Sequence, residues 1–105
     1  MGMSTAICKN EVERFELVKQ NYNGNLPKFI KEVHMNLEIP KGFSYQQLDY
    51  GSKGMSLTKR ELLNIFEHNL NSKYLMLWQK EYCEEIIEFV KNHEDRTFML
   101  VRYEI

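Results

Sequence analysis

The segment Ser56-Leu57-Thr58-Lys59-Arg60-Glu61-Leu62 writes a helix start almost in full, and it constrains the fold more than any other stretch of the chain. The Thr58 hydroxyl can accept from the first turn, and Glu61, three positions on, can reach back as the second half of a capping box. Leu57 before the cap and Leu62 after it form the matching hydrophobic staple. A helix boundary is therefore expected at Thr58, with Leu62, Leu63, Phe66 and Leu70 as the buried stripe. Ahead of it, Gly51-Ser52-Lys53-Gly54 reads as a flexible loop that closes a strand.

A second, longer helix is expected from Ser72 to Asn92, with Leu75, Trp78, Tyr82, Ile86 and Phe89 on one face, flanked by Cys83, Ile87 and Val90. At 1.5 Å per residue it would reach roughly 30 Å, the width of a small domain. Two more helices are expected earlier. Val12, Phe15, Val18 and Tyr22 recur at helical spacing, with Ser4 or Thr5 as an alternative start that would bring Ile7 and Cys8 inside. Leu26, Phe29, Ile30 and Val33 follow, with Pro27 tolerated in a first turn.

Strand patterns lie between and after these. Val33, Met35, Leu37 and Ile39 alternate with polar residues, and the stretch from Phe43 to Tyr50 is aromatic-rich with imperfect alternation. Pro40-Lys41-Gly42 between them reads as a turn that favours an antiparallel hairpin. Phe98 to Ile105 reads as a final strand, which would invite pairing with a second copy if it lay on an edge. The expected fold is α+β: a small two-layer domain of about four helices on a mixed or antiparallel sheet, in the order α-α-β-β-α-α-β.

The chain has 105 residues, 43% of them hydrophobic, which is enough for a single core without metal or disulfide staples. No linker divides it, so residues 1–105 are read as one domain, with residues 1–3 as a disordered or appended start. The two cysteines, Cys8 and Cys83, have no paired spacing, which points to a reducing compartment. There is no apolar run of membrane-spanning length and no apolar leader core, so a cytoplasmic protein without membrane contact is expected.

The net charge of −1 excludes a bulk field toward nucleic acid or acidic lipid, but its distribution is uneven. Residues 19–60 carry seven Lys/Arg against three acids, and residues 61–105 carry five against nine. Within the basic part, Gly51, Ser52, Lys53 and Gly54, with Lys59 and Arg60 nearby, form a candidate anion or nucleic-acid contact, because glycines let backbone approach an anion. Tyr45 and Tyr50 could add stacking surfaces, with Gln46 and Gln47 as hydrogen-bonding neighbours. The loop lacks the spacing and terminal Lys-Ser/Thr of a P-loop.

Within the acidic part, Glu81, Glu84, Glu85 and Glu88 step by three and four residues into a ridge. Just before it, Tyr74, Leu75, Met76, Leu77 and Trp78 are five consecutive large apolar or aromatic residues, too many for one helix face. Some of Tyr74, Met76, Leu77 and Trp78 must point away from the local core, or several elements must cover them. These residues and the ridge are the candidate partner surface.

No catalytic set is visible. His34, His68 and His93 are isolated in sequence, and Cys83 falls on the buried half of its helix, where a thiol acts as a small hydrophobe. No cofactor and no metal site is expected. The leading expectation is a small non-enzymatic interaction protein acting through a protein-binding or homodimer surface. The alternatives are a nucleic-acid-binding module using the 51–54 loop, and a small-ligand protein or enzyme with a dispersed site.

Overall fold

The structure, a computed structural model, describes residues 3–10, 29–47 and 52–104. The expected helix through Val12 and Tyr22, and the positions of Tyr50 and Gly51, lie outside the described residues. The described elements are β1 (Met3–Lys9), β2 (Phe29–Val33), β3 (Gln46–Gln47), β4 (Lys53–Thr58), α1 (Lys59–Leu70), α2 (Leu77–Asn92) and β5 (Thr97–Glu104). The five strands form one sheet in the order β2-β1-β5-β4-β3, with every pairing antiparallel. The α+β class stands, but the four expected helices do not: two helices and five strands are described.

Thr58 is the hinge of the fold. It ends β4 and caps α1, its hydroxyl accepting from Glu61 N at 3.2 Å while Glu61 Oε1 accepts from Thr58 N at 2.9 Å. Leu57 and Leu62 are both buried in the main core. The stripe of α1 is Leu62, Ile65, Phe66 and Asn69, with Leu63 and Leu70 only partly buried. The α2 helix starts at Leu77, five residues later than Ser72, and buries Cys83, Ile86, Ile87 and Val90. Trp78 is not part of that face: it is exposed.

Three strand expectations change. Residues Met3–Lys9 form β1 rather than a helix begun at Ser4 or Thr5, and Ala6, Ile7 and Cys8 are fully buried, on alternating sides of the sheet. A strand covered on both faces shows no polar alternation to read. The expected helix at Phe29, Ile30 and Val33 is β2 instead. Its register shifts so that Cys8 pairs with Phe29 and Ile7 with Lys31, leaving Ile30 as an extra residue. That bulge breaks the period of two and mimics helical spacing. The last strand, β5, lies at the centre of the sheet between β1 and β4, not on an edge. Its run Phe98, Met99, Leu100 and Val101 is fully buried, as a central strand covered on both faces requires.

The Pro40-Lys41-Gly42 turn forms as expected, with Phe43 N donating to Pro40 O at 3.2 Å and Gly42 at φ 101°. Few residues besides glycine tolerate that angle. The turn does not make a hairpin, however. The strands on either side, β2 and β3, are opposite edges of the sheet, so the connector 34–45 crosses its full width. Met35, Leu37, Ile39, Phe43 and Tyr45 pack from it onto the helix-side core. The expected alternation from Val33 to Ile39 thus survives as alternating burial without a strand ladder beyond Val33.

The helix side of the sheet is built in transverse rows. One row runs Lys31, Ile7, Leu100, Met55 and lies under the helices; the next runs Val33, Thr5, Arg102, Lys53, Gln47 through all five strands. Ala6, Cys8, Met99 and Val101 form a second buried cluster on the opposite face, with Tyr103 packed against it.

Candidate functional site

The surplus of apolar residues before α2 does not go into the core. Tyr74 is 92% exposed, Met76 65%, Leu77 73% and Trp78 56%, while Leu75 alone packs partly against the core. They occupy the connection between the two helices and the first turn of α2. The Trp78 indole Nε1 lies 3.4 Å from Met76 Sδ, so the two side chains meet on the outside of the protein.

The local geometry does not require these residues. Met76 holds the N-cap position of α2, where Ser, Thr, Asp or Asn would contribute about 1 kcal/mol to the helix. Gln79 compensates in part, its Oε1 accepting from Met76 N at 2.8 Å. An exposed methionine at a cap and an exposed tryptophan two residues later serve neither burial nor capping.

The acidic ridge continues the same helix face. Leu77, Glu81, Glu84, Glu85 and Glu88 follow at steps of three and four, one stripe roughly 16 Å long. All five side chains are exposed. Among the described residues no Lys or Arg nitrogen lies within ion-pair distance of these four carboxylates; the recorded pairs are His34 with Glu32, His68 with Glu38 and His93 with Asp95. Like charges at such spacing each cost a few tenths of a kcal/mol. Nor do they serve the helix dipole, since α2 has no acidic residue in its first turn. The ridge borders an open groove of about 570 Å³ between α2 and the β2 edge, lined by Lys31, Glu85, Glu88, Phe89, Asn92 and His93.

The basic candidates do not converge. Lys53 and Gly54 are the first residues of β4 rather than a loop, with Gly54 paired to Val101 and Gln46. Lys59 follows the far end of the same strand, roughly 20 Å away at 3.3 Å per residue. Its ammonium donates to His93 O at 2.5 Å, and its backbone N to Arg96 O at 2.8 Å, so it ties α1 to the turn before β5. Arg60 is exposed beside it, and Ser52 is buried. Lys53 instead stands directly opposite Arg102, a juxtaposition that strand pairing creates and linear sequence cannot show. Gln46 and Gln47 form β3, and Tyr45 packs against the core.

The nucleophile candidates are packing groups. Cys83 is fully buried on the α1–α2 interface and its Sγ donates to Phe66 O at 3.0 Å. Burial, with the Glu84 carboxylate adding to it, pushes its thiol up to about 11. Cys8 is likewise buried and pushed up to about 12 by the loss of water. Neither supplies a thiolate near neutral pH. His93 Nδ1 accepts from Asp95 N at 3.1 Å and its ring packs near Phe89 and Phe98, a structural placement. Among the described residues no group of three His, Cys, Asp or Glu could hold a metal ion, and no helix is long and apolar enough to cross a membrane.

No protein-family model, curated protein or solved structure matches the chain.

Proposed function

We propose that this protein is an interaction domain that docks a basic, amphipathic segment of another protein on the outer face of α2 and the connection before it. One observation carries the reading: an exposed apolar cluster of Met76, Leu77 and Trp78 lies at the head of a stripe of four carboxylates without cationic partners among the described residues. Aromatic and methionine side chains are enriched where proteins bind one another, and burying them is the main source of affinity. The carboxylates add orientation and speed of association with a cationic partner.

Charge decides between a different partner and a second copy. A two-fold dimer apposes a patch to itself, so a dimer through this face would bring Glu81, Glu84, Glu85 and Glu88 toward their own copies. Like-charge apposition costs several kcal/mol. A basic helix with apolar residues at one end meets both halves of the surface instead.

Trp78 is the only tryptophan of the chain, so its fluorescence reports on the surface directly. Titration with an amphipathic Leu/Lys helical peptide is expected to shift the Trp78 emission to the blue, with affinity falling as salt rises. The matching Leu/Glu peptide is expected to leave it unchanged. The Glu84→Lys/Glu88→Lys variant should bind the Leu/Lys peptide at least about tenfold more weakly. Unchanged Trp78 emission with the Leu/Lys peptide, or equal response to both peptides, overturns the reading.

A further inference from the structure

We propose that the cavity between the connector and the Val33–Thr5–Arg102–Lys53–Gln47 row of the sheet binds a small organic anion, a monocarboxylate with a short apolar body. The cavity measures about 240 Å³ and is lined by Thr5, Asn36, Leu37, Ile39, Tyr45 and Arg102. It lies on the helix side of the sheet, one row beyond the residues that the helices cover. The connector, crossing from β2 to β3, forms one side of it through Asn36, Leu37, Ile39 and Tyr45.

Four of the six lining residues carry donors, and none is an acid. Thr5 offers a hydroxyl, Asn36 an amide, Tyr45 a phenol and Arg102 a guanidinium, and no carboxylate lines the space. Burial pushes the Tyr45 phenol up to about 12, against the opposing pull of Arg102, so it remains a protonated donor at neutral pH. The Arg102 guanidinium makes no hydrogen bond or ion pair among the described residues. A guanidinium flanked by neutral donors matches the two oxygens of a carboxylate.

The sheet itself supplies the second argument. Lys53 is the direct antiparallel neighbour of Arg102 on the same face, and both are exposed. Like charges directly opposite each other in a sheet are destabilising. Nothing in the fold offsets this pair among the described residues, and a bound anion would.

Size and wall composition narrow the ligand. At about 30 Å³ per water the cavity has room for about eight waters, enough to admit a benzoate-sized molecule with space to spare. Leu37 and Ile39 supply the apolar part of a mainly polar lining, room for a short hydrocarbon body beside the donors.

The probes are benzoate, its neutral analogue benzamide and inorganic phosphate, each titrated into the full chain and followed by backbone amide resonances. Benzoate is expected to bind with a dissociation constant in the range of about 0.1–5 mM and to shift the amides of Thr5, Leu37, Ile39 and Arg102. Benzamide and phosphate should each bind at least about tenfold more weakly, the first for lack of charge and the second for lack of a body. Arg102→Met and Tyr45→Phe should each weaken benzoate at least about fivefold, and the second keeps the packing of the ring should the first fail to fold. No shifts up to about 20 mM benzoate, equal binding of benzamide or phosphate, or unweakened binding by either folded variant overturns the proposal.

Discussion

The Asn69 side chain makes both backbone hydrogen bonds of Glu38: its Oδ1 accepts from Glu38 N at 2.7 Å and its Nδ2 donates to Glu38 O at 2.8 Å. A fully buried amide on α1 thus acts as a one-residue strand for the connector. Its second amide proton goes to Ile65 O at 2.8 Å, so the group is satisfied throughout. From α2, the Tyr82 hydroxyl donates to Glu32 O at 2.7 Å and accepts from His34 N at 3.3 Å. The two helices grip the connector on either side of Met35 to Leu37, and that grip positions one wall of the cavity.

Replacing Asn69 with Ala removes three hydrogen bonds and leaves a buried void. We expect Asn69→Ala to destabilise the protein by about 2–4 kcal/mol, measured as a lower urea midpoint with an unchanged slope. Tyr82→Phe, whose partners are more exposed, should cost only about 0.5–1.5 kcal/mol. A loss for Asn69→Ala no larger than that for Tyr82→Phe would contradict the role assigned to the amide.

The capping box at Thr58 is the best-defined local device of the chain, and it joins a strand to a helix with no intervening loop. Thr58→Ala should cost about 1 kcal/mol, and Thr58→Asp should recover most of it, because a carboxylate caps as well and also favours the helix N-terminus. Thermal unfolding of the three proteins checks this ordering.

Alkaline pH should weaken the fold through two buried thiols and one partly buried phenol. In the unfolded chain the two cysteines ionise near 9.0 and Tyr45 near 10.0, whereas burial raises Cys8 and Tyr45 to about 12 and Cys83 to about 11. Between those values the unfolded chain holds fewer protons than the folded one, so stability is full below about pH 9 and falls as pH rises toward 12. Urea midpoints at pH 8, 10 and 11 should decline, and a Cys8→Ala/Cys83→Ala variant should decline less steeply between pH 9 and 11. Parallel declines for the two proteins would contradict the assignment.

What the sequence makes legible here is what is local. Thr58 and Glu61 lie three residues apart and announce their helix, and the stretch from Phe98 onward announces a strand. The position of that strand at the centre of the sheet is a long-range fact, set by pairing with residues as distant as Thr5 and Lys53. β1 was hidden because both its faces are covered, and β2 because a bulge disguised its period. Nothing local marks Asn69 as part of the core, since a polar residue in a helical stripe normally marks an end; its partner, Glu38, is 31 positions away. Of the candidate surface, the exposed carboxylates were readable from spacing, and the excess at Tyr74 to Trp78 was readable as an excess, but only the fold shows that four of the five face outward. Arg102, the charged member of the cavity, carried no signal at all, because its neighbours Thr5, Lys53 and Tyr45 come from three separate parts of the chain.

The central claim is that recognition belongs to the outer face of α2 and the connection before it. Mapping backbone amide shifts during titration with the Leu/Lys peptide tests it most directly. The account predicts that the largest shifts cluster from Tyr74 to Glu88, with the amides of Thr5, Leu37 and Arg102 unmoved. Shifts concentrated elsewhere, or none at saturating peptide, would contradict it.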